Sequence, residues 1–150
     1  MVDNNELSEL YQEVIFDHNQ HPRNYGQLTD CTHYQVGHNP LCGDKIEVFL
    51  LIKDDTIQDI KFKSEGCAIS KSSASIMTTL LKNKSIAEVK SLFTKFHDVV
   101  TSEPSKIFDA DELGKLSVFC GVREFPARVK CATLAWHTII QAIENEKITE

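Results

Sequence analysis

The sequence predicts an α+β fold, in which a small antiparallel sheet of about three strands carries helices packed on one face. Two observations lead to this prediction. Between residues 31 and 64, β-branched and aromatic residues partly alternate with polar ones, which is typical of strands. From residue 69 onward, apolar residues recur every three or four positions, as they do in helices. Strands in one block and helices in the next favour an α+β domain over alternating α/β units.

The first half of the chain is predicted to begin with a helix and continue into the strands. Apolar residues at helical spacing over residues 5–17 follow a polar capping stretch, and Pro22 biases the residue before it away from helix. Strands are then predicted over residues 31–36, 45–53 and 56–64. Asp54-Asp55 joins the second strand to the third by a tight turn.

The second half is predicted to be helical. One helix covers residues 69–81, and another opens at Ser85-Ile86-Ala87-Glu88, which has the form of a capping box, and stops before Pro104. Residues 107–118 predict a short helix, followed by a turn at Cys120-Gly121. The last helix runs from Pro126 to the C-terminus, since proline is well tolerated at a first helical position. Without repeats or linkers, residues 1–150 are expected to form a single domain.

Composition excludes several classes of function. The chain has 150 residues and a net charge of −6, with no block of like charge, so the basic face of a nucleic-acid-binding protein is not expected. No apolar run approaches the ~20 residues that span a bilayer, so no membrane association is expected. The N-terminus also lacks the basic and apolar regions of a signal peptide. A cytoplasmic protein is therefore expected.

The five cysteines favour metal or thiol chemistry over disulfides. An odd count would leave one thiol over in a disulfide framework. Simple burial is the alternative, because an unmodified cysteine is among the most buried residue types. That alternative is the expectation for Cys31 and Cys120, which are interpreted as structural thiols.

Cys42, Asp44, Cys67 and Cys131 are the candidate metal ligands, since three sulfurs and one carboxylate suffice for a four-coordinate site. Side chains two apart on an extended segment point the same way, so Cys42 and Asp44 can face one point. Cys67 directly follows the third strand and precedes a helix, and Gly66 before it permits a sharp turn. Cys131 lies early in the last helix. Because the chain has no Cys-x-x-Cys pair, spacing alone leaves separate reduced or buried thiols as an open alternative.

Charge and ligand chemistry refine this hypothesis. Three thiolates and a carboxylate around a divalent ion leave a net charge of −2, and Arg128, Lys130 and Lys71 are candidates to offset it. Arg128 lies three residues before Cys131 and so on the same side of its helix. A carboxylate is the most replaceable ligand of the set, which indicates a site that changes coordination. The histidines are scattered; His38 is nearest in sequence to Cys42, and His137 lies on the wrong side of its helix to join Cys131.

Three motifs resemble the NifU/IscU iron–sulfur cluster assembly family, and more closely its SufU branch in Gram-positive bacteria. The motifs are Leu41-Cys42-Gly43-Asp44, Gly66-Cys67-Ala68-Ile69-Ser70 and Phe125-Pro126-Ala127-Arg128-Val129-Lys130-Cys131-Ala132. His21-Pro22-Arg23-Asn24 at the end of the first helix is similar too, so the resemblance covers nearly the whole chain. The fold that it implies is the IscU/NifU N-terminal fold, in agreement with the α+β prediction.

The resemblance implies that Cys42, Asp44, Cys67 and Cys131 bind one zinc ion. It further implies that Cys42 accepts persulfide sulfur from a SufS-like cysteine desulfurase, which is a PLP enzyme, and that the sulfur passes to a downstream scaffold such as a SufBCD-like complex. In this branch a histidine of the desulfurase takes over one zinc position and so releases the cysteine. The position of Arg128 beside Cys131 suggests that it neutralises the site or steers a persulfide anion.

Departures from the IscU pattern favour sulfur relay over cluster scaffolding. Lys130 stands where IscU-type proteins carry histidine, residues 102–123 form an additional segment, and the Leu-Pro-Pro-Val-Lys motif is absent. Two alternatives stay open. One is an iron–sulfur scaffold that assembles a transient cluster on the same ligands, and the other is a non-catalytic zinc-binding partner domain.

Overall fold

The computed structural model describes residues 4–40, 43–103 and 105–145 of the chain. Its helices and strands are α1 Asn4–Gln20, β1 His33–Asn39, β2 Asp44–Lys53, β3 Thr56–Glu65, α2 Ala68–Leu81, α3 Ile86–Thr101, α4 Ala110–Leu113, a 3-10 helix Gly114–Glu124 and α5 Pro126–Glu144. Within these ranges, no helix combines the length and the apolar character needed to cross a membrane.

The sheet has three antiparallel strands in the order β1-β2-β3, as predicted. Asp54 and Asp55 form the predicted turn between β2 and β3, with φ angles of 53° and 56°. Two consecutive left-handed residues give a hairpin turn whose twist matches that of the flanking strands, and aspartate tolerates this conformation better than most residues.

Helices α2 and α5 pack against the inner face of the sheet and against each other. Alternate residues of β2 and β3 point into this interface and are fully buried: Ile46, Val48, Leu50, Ile60 and Phe62. On the other side of α5, Trp136 stacks on Phe96 of α3 with ring centroids 4.4 Å apart. Each large apolar side chain buried in this way contributes about 1.5–3 kcal/mol. The prediction of an α+β domain with helices on one sheet face is confirmed.

Strand β1 is displaced along the sequence from its predicted range of 31–36. Thr32 precedes the strand, and its hydroxyl accepts the Ile52 N–H at 2.8 Å, which takes the place of a backbone ladder bond. At its other end β1 continues to Asn39, which pairs with Asp44 across the hairpin. Helix α1 likewise continues to Gln20, three residues past the predicted end.

The predicted turn at Cys120-Gly121 is wrong, because these residues lie inside the 3-10 helix Gly114–Glu124. Leu116, Phe119 and Val122 are buried at a spacing of three. Side chains three apart eclipse one another in a 3-10 helix, so this spacing places all three on one face. The burial of that face explains why this 3-10 helix is much longer than the usual length of about three or four residues.

Arg123 fastens the end of this 3-10 helix to the loop after α3. Its Nη1 donates to the Ser102 hydroxyl at 3.1 Å and to the carbonyl oxygens of Glu103 and Lys106 at 3.0 and 2.8 Å. At the opposite end of α3, Ser85 and Glu88 form the predicted capping box, with both hydrogen bonds at 3.2 Å. Arg123 thus closes the segment 102–123 on itself, and the 3-10 helix within this segment packs against α1, α3 and α5.

The end of α1 is fastened to α2 through polar contacts. His18 Nδ1 lies 2.7 Å from the Ser75 hydroxyl, which also accepts the Arg23 N–H at 2.8 Å. Asn24 donates its side-chain amide to the Thr78 hydroxyl at 3.0 Å. His18, together with Arg23 and Asn24 of the His21-Pro22-Arg23-Asn24 motif, thus joins the end of α1 to the serine-rich helix that follows the sheet.

We expect the stability of the domain to fall as the pH drops below about 6.5. Burial, followed by the charge of Arg23, lowers the pKa of His18 from its ordinary value of 6.5. The unfolded chain therefore binds a proton at His18 at a pH where the folded protein does not, and the free energy of unfolding decreases through that window. Thermal melts at pH 7.5 and 5.5 measure the loss.

His18→Gln should lose less stability than the wild type over this interval. Part of the decrease should remain in His18→Gln, since burial also lowers the pKa of His137. Equal losses in the wild type and His18→Gln would contradict the assignment to His18.

Candidate metal centre

Asp44 is the first residue of β2, and its side chain is fully buried. The preceding residue, Gly43, has a φ of +72°, and its N–H donates to the Asn39 carbonyl at 2.9 Å. This turn closes the β1–β2 hairpin at Asn39 and Asp44. A carboxylate buried at a strand end needs donors around it, because an unpaired buried charge is costly.

Cys67 supplies two of the contacts of that carboxylate. Its backbone N–H donates to Asp44 Oδ1 at 2.8 Å, and its thiol donates to Oδ2 at 3.5 Å. Cys67 is also the N-cap of α2, with its sulfur accepting the Ser70 N–H at 3.4 Å. The partial positive charge of a helix N-terminus favours negative charge on an atom in this position. The end of β3 and the start of α2 are thereby joined to the start of β2.

Gly66 permits this close approach. It has a φ of +135°, and a Cβ at this position would lie 2.0 Å from Asp44 Oδ1 and 2.9 Å from the Asp44 Cα. An L-residue rarely adopts this backbone conformation, and here its side chain would also collide with a buried carboxylate. Only glycine fits between the third strand and Cys67.

Cys131 brings the third donor atom. It lies in the second turn of α5, is almost fully buried, and donates its thiol proton to the Ala127 carbonyl at 3.7 Å. One oxygen of Asp44 and the sulfurs of Cys67 and Cys131 all lie within 4.8 Å of one another. Two thiolates on one tetrahedral zinc ion, each with a Zn–S bond of ~2.3 Å, are about 3.8 Å apart. The three donor atoms could therefore bind a single ion if the distances between them became slightly shorter.

Arg128 lies on the exposed side of this group. The thiolate form of Cys67, and then the hydrogen bond and charge of the thiolate form of Cys131, raise the pKa of Arg128 above its ordinary value. The guanidinium thus lies close to both sulfurs, as expected from its place on α5. Lys71 instead holds its ammonium 5.2 Å from the centre of the Tyr25 ring, and Lys130 is exposed.

Cys42 lies outside the described residues, so its role as fourth ligand and as sulfur acceptor stays a prediction. It precedes Gly43 directly and Asp44 by two positions in the sequence. The structure brings together the other three predicted ligands, Asp44, Cys67 and Cys131. No second group of three such donor atoms is found in the described parts of the chain.

The remaining described cysteines and histidines lie apart from this group. Cys31 is half-buried beside Tyr34 and Phe49, and Cys120 is half-buried against the core. Burial raises the pKa of both thiols, which makes them poor nucleophiles at neutral pH. His38 is exposed opposite Lys45. His137, whose ring is partly covered, packs on Phe93 with ring centroids 5.3 Å apart.

Sequence reasoning missed two features of the site. It treated Gly66 only as a point for a sharp turn, although the residue also makes room for the carboxylate of Asp44. It also gave no role to the buried serines of α2, among them Ser70, whose backbone N–H contacts Cys67. The signal for the serines is available in the sequence: a helix with apolar residues at core spacing also carries Ser70, Ser72, Ser73 and Ser75.

At one end of the three-stranded antiparallel sheet, the carboxylate of Asp44 thus meets the half-buried thiol of Cys67 and the buried thiol of Cys131 in a candidate metal-binding group. The chain belongs to the family of the NifU-like N-terminal domain, whose model matches residues 10–132. It is 39% identical over 144 residues to the zinc-dependent sulfurtransferase SufU of Bacillus subtilis, and the alignment covers 96% of each chain.

Further relatives carry the name of scaffold proteins. The chain is 37% identical to the iron–sulfur cluster assembly scaffold protein IscU of Streptococcus pyogenes, over 93% of this chain and 86% of that one. Among solved structures, a SUF-system protein from Fervidobacterium islandicum, FiSufU, matches with a TM-score of 0.81 and 30% identity, covering 91% and 98% of the two chains. A NifU-like protein from Brucella abortus, at 19% identity and a TM-score of 0.79, shares the fold over 91% and 94%.

Proposed function

We propose that the chain is a zinc-dependent sulfurtransferase, which accepts persulfide sulfur from a cysteine desulfurase and relays it for iron–sulfur cluster biogenesis. The observation that carries the proposal is the meeting of a buried carboxylate, Asp44, with the thiols of Cys67 and Cys131. The relative from Bacillus subtilis, which is aligned over nearly the whole chain, is named for this activity. Lys130, in the position where scaffolds of the IscU type carry histidine, supports relay over scaffolding.

Asp44, Cys67, Cys131 and Cys42 would hold the zinc ion. The donor set suits zinc, which takes sulfur, nitrogen and carboxylate ligands in a tetrahedral arrangement. When bound, the ion would keep its cysteine ligands deprotonated at neutral pH. Cys42 can come close to the described donors, since two peptide units of ~3.8 Å each limit its Cα to about 7.6 Å from that of Asp44.

Cys42 is the proposed sulfur acceptor. Its thiolate attacks the terminal sulfur of the persulfide on the desulfurase, and a new S–S bond forms at Cys42 as the S–S bond of the donor breaks. The donor cysteine leaves as a thiolate, and the transferred sulfur carries the same charge on Cys42 as it carried on the donor persulfide. The exchange needs no outside oxidant or reductant, because one S–S bond replaces another.

Arg128 is proposed to support this exchange. Its guanidinium lies close to the sulfurs of Cys67 and Cys131 on the solvent side of the group. A persulfide anion that enters from solvent would therefore meet a fixed positive charge, and charge-assisted contacts of this kind are roughly twice as strong as neutral ones. Arg128 is a positioning residue in this proposal, with no part in the bond exchange.

The partners follow from the same chemistry. The donor would be a SufS-like, PLP-dependent cysteine desulfurase, which makes a persulfide on its own cysteine. The acceptor downstream would be a scaffold such as a SufBCD-like complex, on which sulfur is combined with iron.

Metal removal tests the proposal most simply. We expect protein as purified to contain about one zinc ion per chain, and to increase the turnover of a cysteine desulfurase supplied with cysteine and a reductant. Treatment with a chelator should abolish the increase, and added Zn²⁺ should restore it. Full stimulation by metal-free protein would overturn the zinc dependence, and no stimulation by zinc-loaded protein would overturn the sulfurtransferase assignment.

A cluster scaffold is the second candidate function, favoured by the relatives that bear this name. Thiolates on three segments could also hold an iron–sulfur cluster. Anaerobic incubation with iron and sulfide would then give a stable visible chromophore that passes to an apo-protein. We expect no such stable chromophore, because a carboxylate replaces the fourth sulfur.

A further inference from the structure

Ser70 carries a buried hydroxyl without a hydrogen-bond partner. Among the described residues, only its Oγ and the Trp136 Nε1 are buried side-chain polar atoms in this condition. Trp136 is stacked on Phe96 in the core, whereas Ser70 lies in the first turn of α2, three residues after Cys67. A buried polar atom that makes no hydrogen bond costs free energy, so its retention next to a functional site calls for an explanation.

The other buried serines of α2 all have partners. Ser72 donates to the Ile15 carbonyl at 2.7 Å and Ser73 to the Ala132 carbonyl at 2.6 Å, while Ser75 is bound by His18 and Arg23. Ser70 is the exception, and it is also the serine nearest in sequence to a candidate ligand. The unpartnered hydroxyl thus belongs to the residue whose backbone N–H contacts the sulfur of Cys67 in the candidate metal centre.

The position of Ser70 directs its side chain toward the interface with α5. Residues three apart share a face of a helix, and Ser73, three residues later, contacts the carbonyl of Ala132, the neighbour of Cys131. Helical side chains also lean toward the N-terminus of their helix, which here is the turn that holds Cys67. Ser70 therefore lies on the side of α2 that meets the second turn of α5.

We propose that the Ser70 hydroxyl is an outer hydrogen-bond donor to the metal-bound sulfur of Cys131. The proposal rests on the metal site of the proposed function. A thiolate bound to a metal has no proton to donate and accepts hydrogen bonds, so it provides the acceptor that Ser70 lacks. The Arg128 guanidinium lies near the same sulfur on the solvent side, and Ser70 would contact it from the interior.

Zinc affinity and metal-free stability, measured on the same variants, test this role. Chelator competition gives the affinity, and thermal melts of metal-free protein give the stability. Ser70→Ala should bind zinc roughly ten- to a hundredfold more weakly, which is the usual effect of losing an outer-shell partner. Its metal-free form should melt at or above the wild-type temperature, because the variant removes a hydroxyl that has no partner there.

Ser73→Ala is the matched control, since it removes a buried hydroxyl of α2 that already has an acceptor. We expect the opposite pair of effects: a lower melting temperature and near-normal zinc affinity. Wild-type zinc affinity in Ser70→Ala would overturn the proposal, as would a metal-free melting temperature lowered as far as in Ser73→Ala. Failure of the wild type to bind zinc would instead overturn the metal site of the proposed function.

Discussion

Replacement of Cys42 by alanine is expected to abolish the stimulation of a cysteine desulfurase. The variant should leave the desulfurase at the rate it shows alone, because none of the described thiols combines a place in the candidate metal centre with the exposure that a nucleophile needs. Cys131 is almost fully buried, and Cys67 is engaged with Asp44 and with the first turn of α2. Alanine formation from cysteine, measured with excess reductant, gives the rate.

Cys120→Ala and Cys31→Ala are the matched controls for this experiment. Both remove a half-buried thiol away from the metal centre whose pKa is raised by burial. We expect each to retain full stimulation. Wild-type stimulation by Cys42→Ala would remove Cys42 from the role of sulfur acceptor.

Gly66→Ala is expected to destabilise the fold and to disrupt the metal centre together. The added Cβ would lie 2.0 Å from Asp44 Oδ1, and the φ of +135° is unfavourable for alanine. Backbone strain and overpacking each cost roughly 1–3 kcal/mol, so we expect the free energy of unfolding to fall by about 3 kcal/mol or more. Chemical denaturation measures this change, and zinc analysis of the folded fraction should show the metal content well below that of the wild type.

Gly114→Ala separates the cost of backbone strain from the cost of the collision with Asp44. Gly114 also has a positive φ, of +57°, but an added Cβ meets no atom within 4 Å. Only the cost of the left-handed conformation, about 1–2 kcal/mol, is expected, with unchanged zinc content. A Gly66→Ala variant that unfolds like Gly114→Ala and binds zinc normally would contradict the close packing of Gly66 on Asp44.

Local patterns in the sequence were sufficient for most of the fold. The alternation from Lys45 to Ser64 and the Asp54-Asp55 turn predicted the central hairpin, because a two-residue turn between alternating segments leaves little freedom of register. The capping box at Ser85 predicted the start of α3 for a similar reason, since both of its hydrogen bonds join residues only three apart.

Features that depend on contacts between distant segments could not be predicted in this way. The continuous 3-10 helix through Cys120-Gly121 exists because its face of buried residues packs on the core, which overrides the local preference for a turn. In the metal centre, sequence reasoning chose Asp44, Cys67 and Cys131, and the structure brings these three together. The contact of Gly66 with Asp44 joins segments 22 positions apart and became apparent only in three dimensions.

The central claim is that this domain takes up sulfur on Cys42 from a desulfurase persulfide. Mass spectrometry of the protein, after incubation with a desulfurase and cysteine and after alkylation of its thiols, tests it directly. We expect one additional sulfur atom on the peptide that contains Cys42, with none on the peptides of Cys31 or Cys120. Sulfur that accumulates on another cysteine, or on none while desulfurase turnover is still stimulated, would contradict the account.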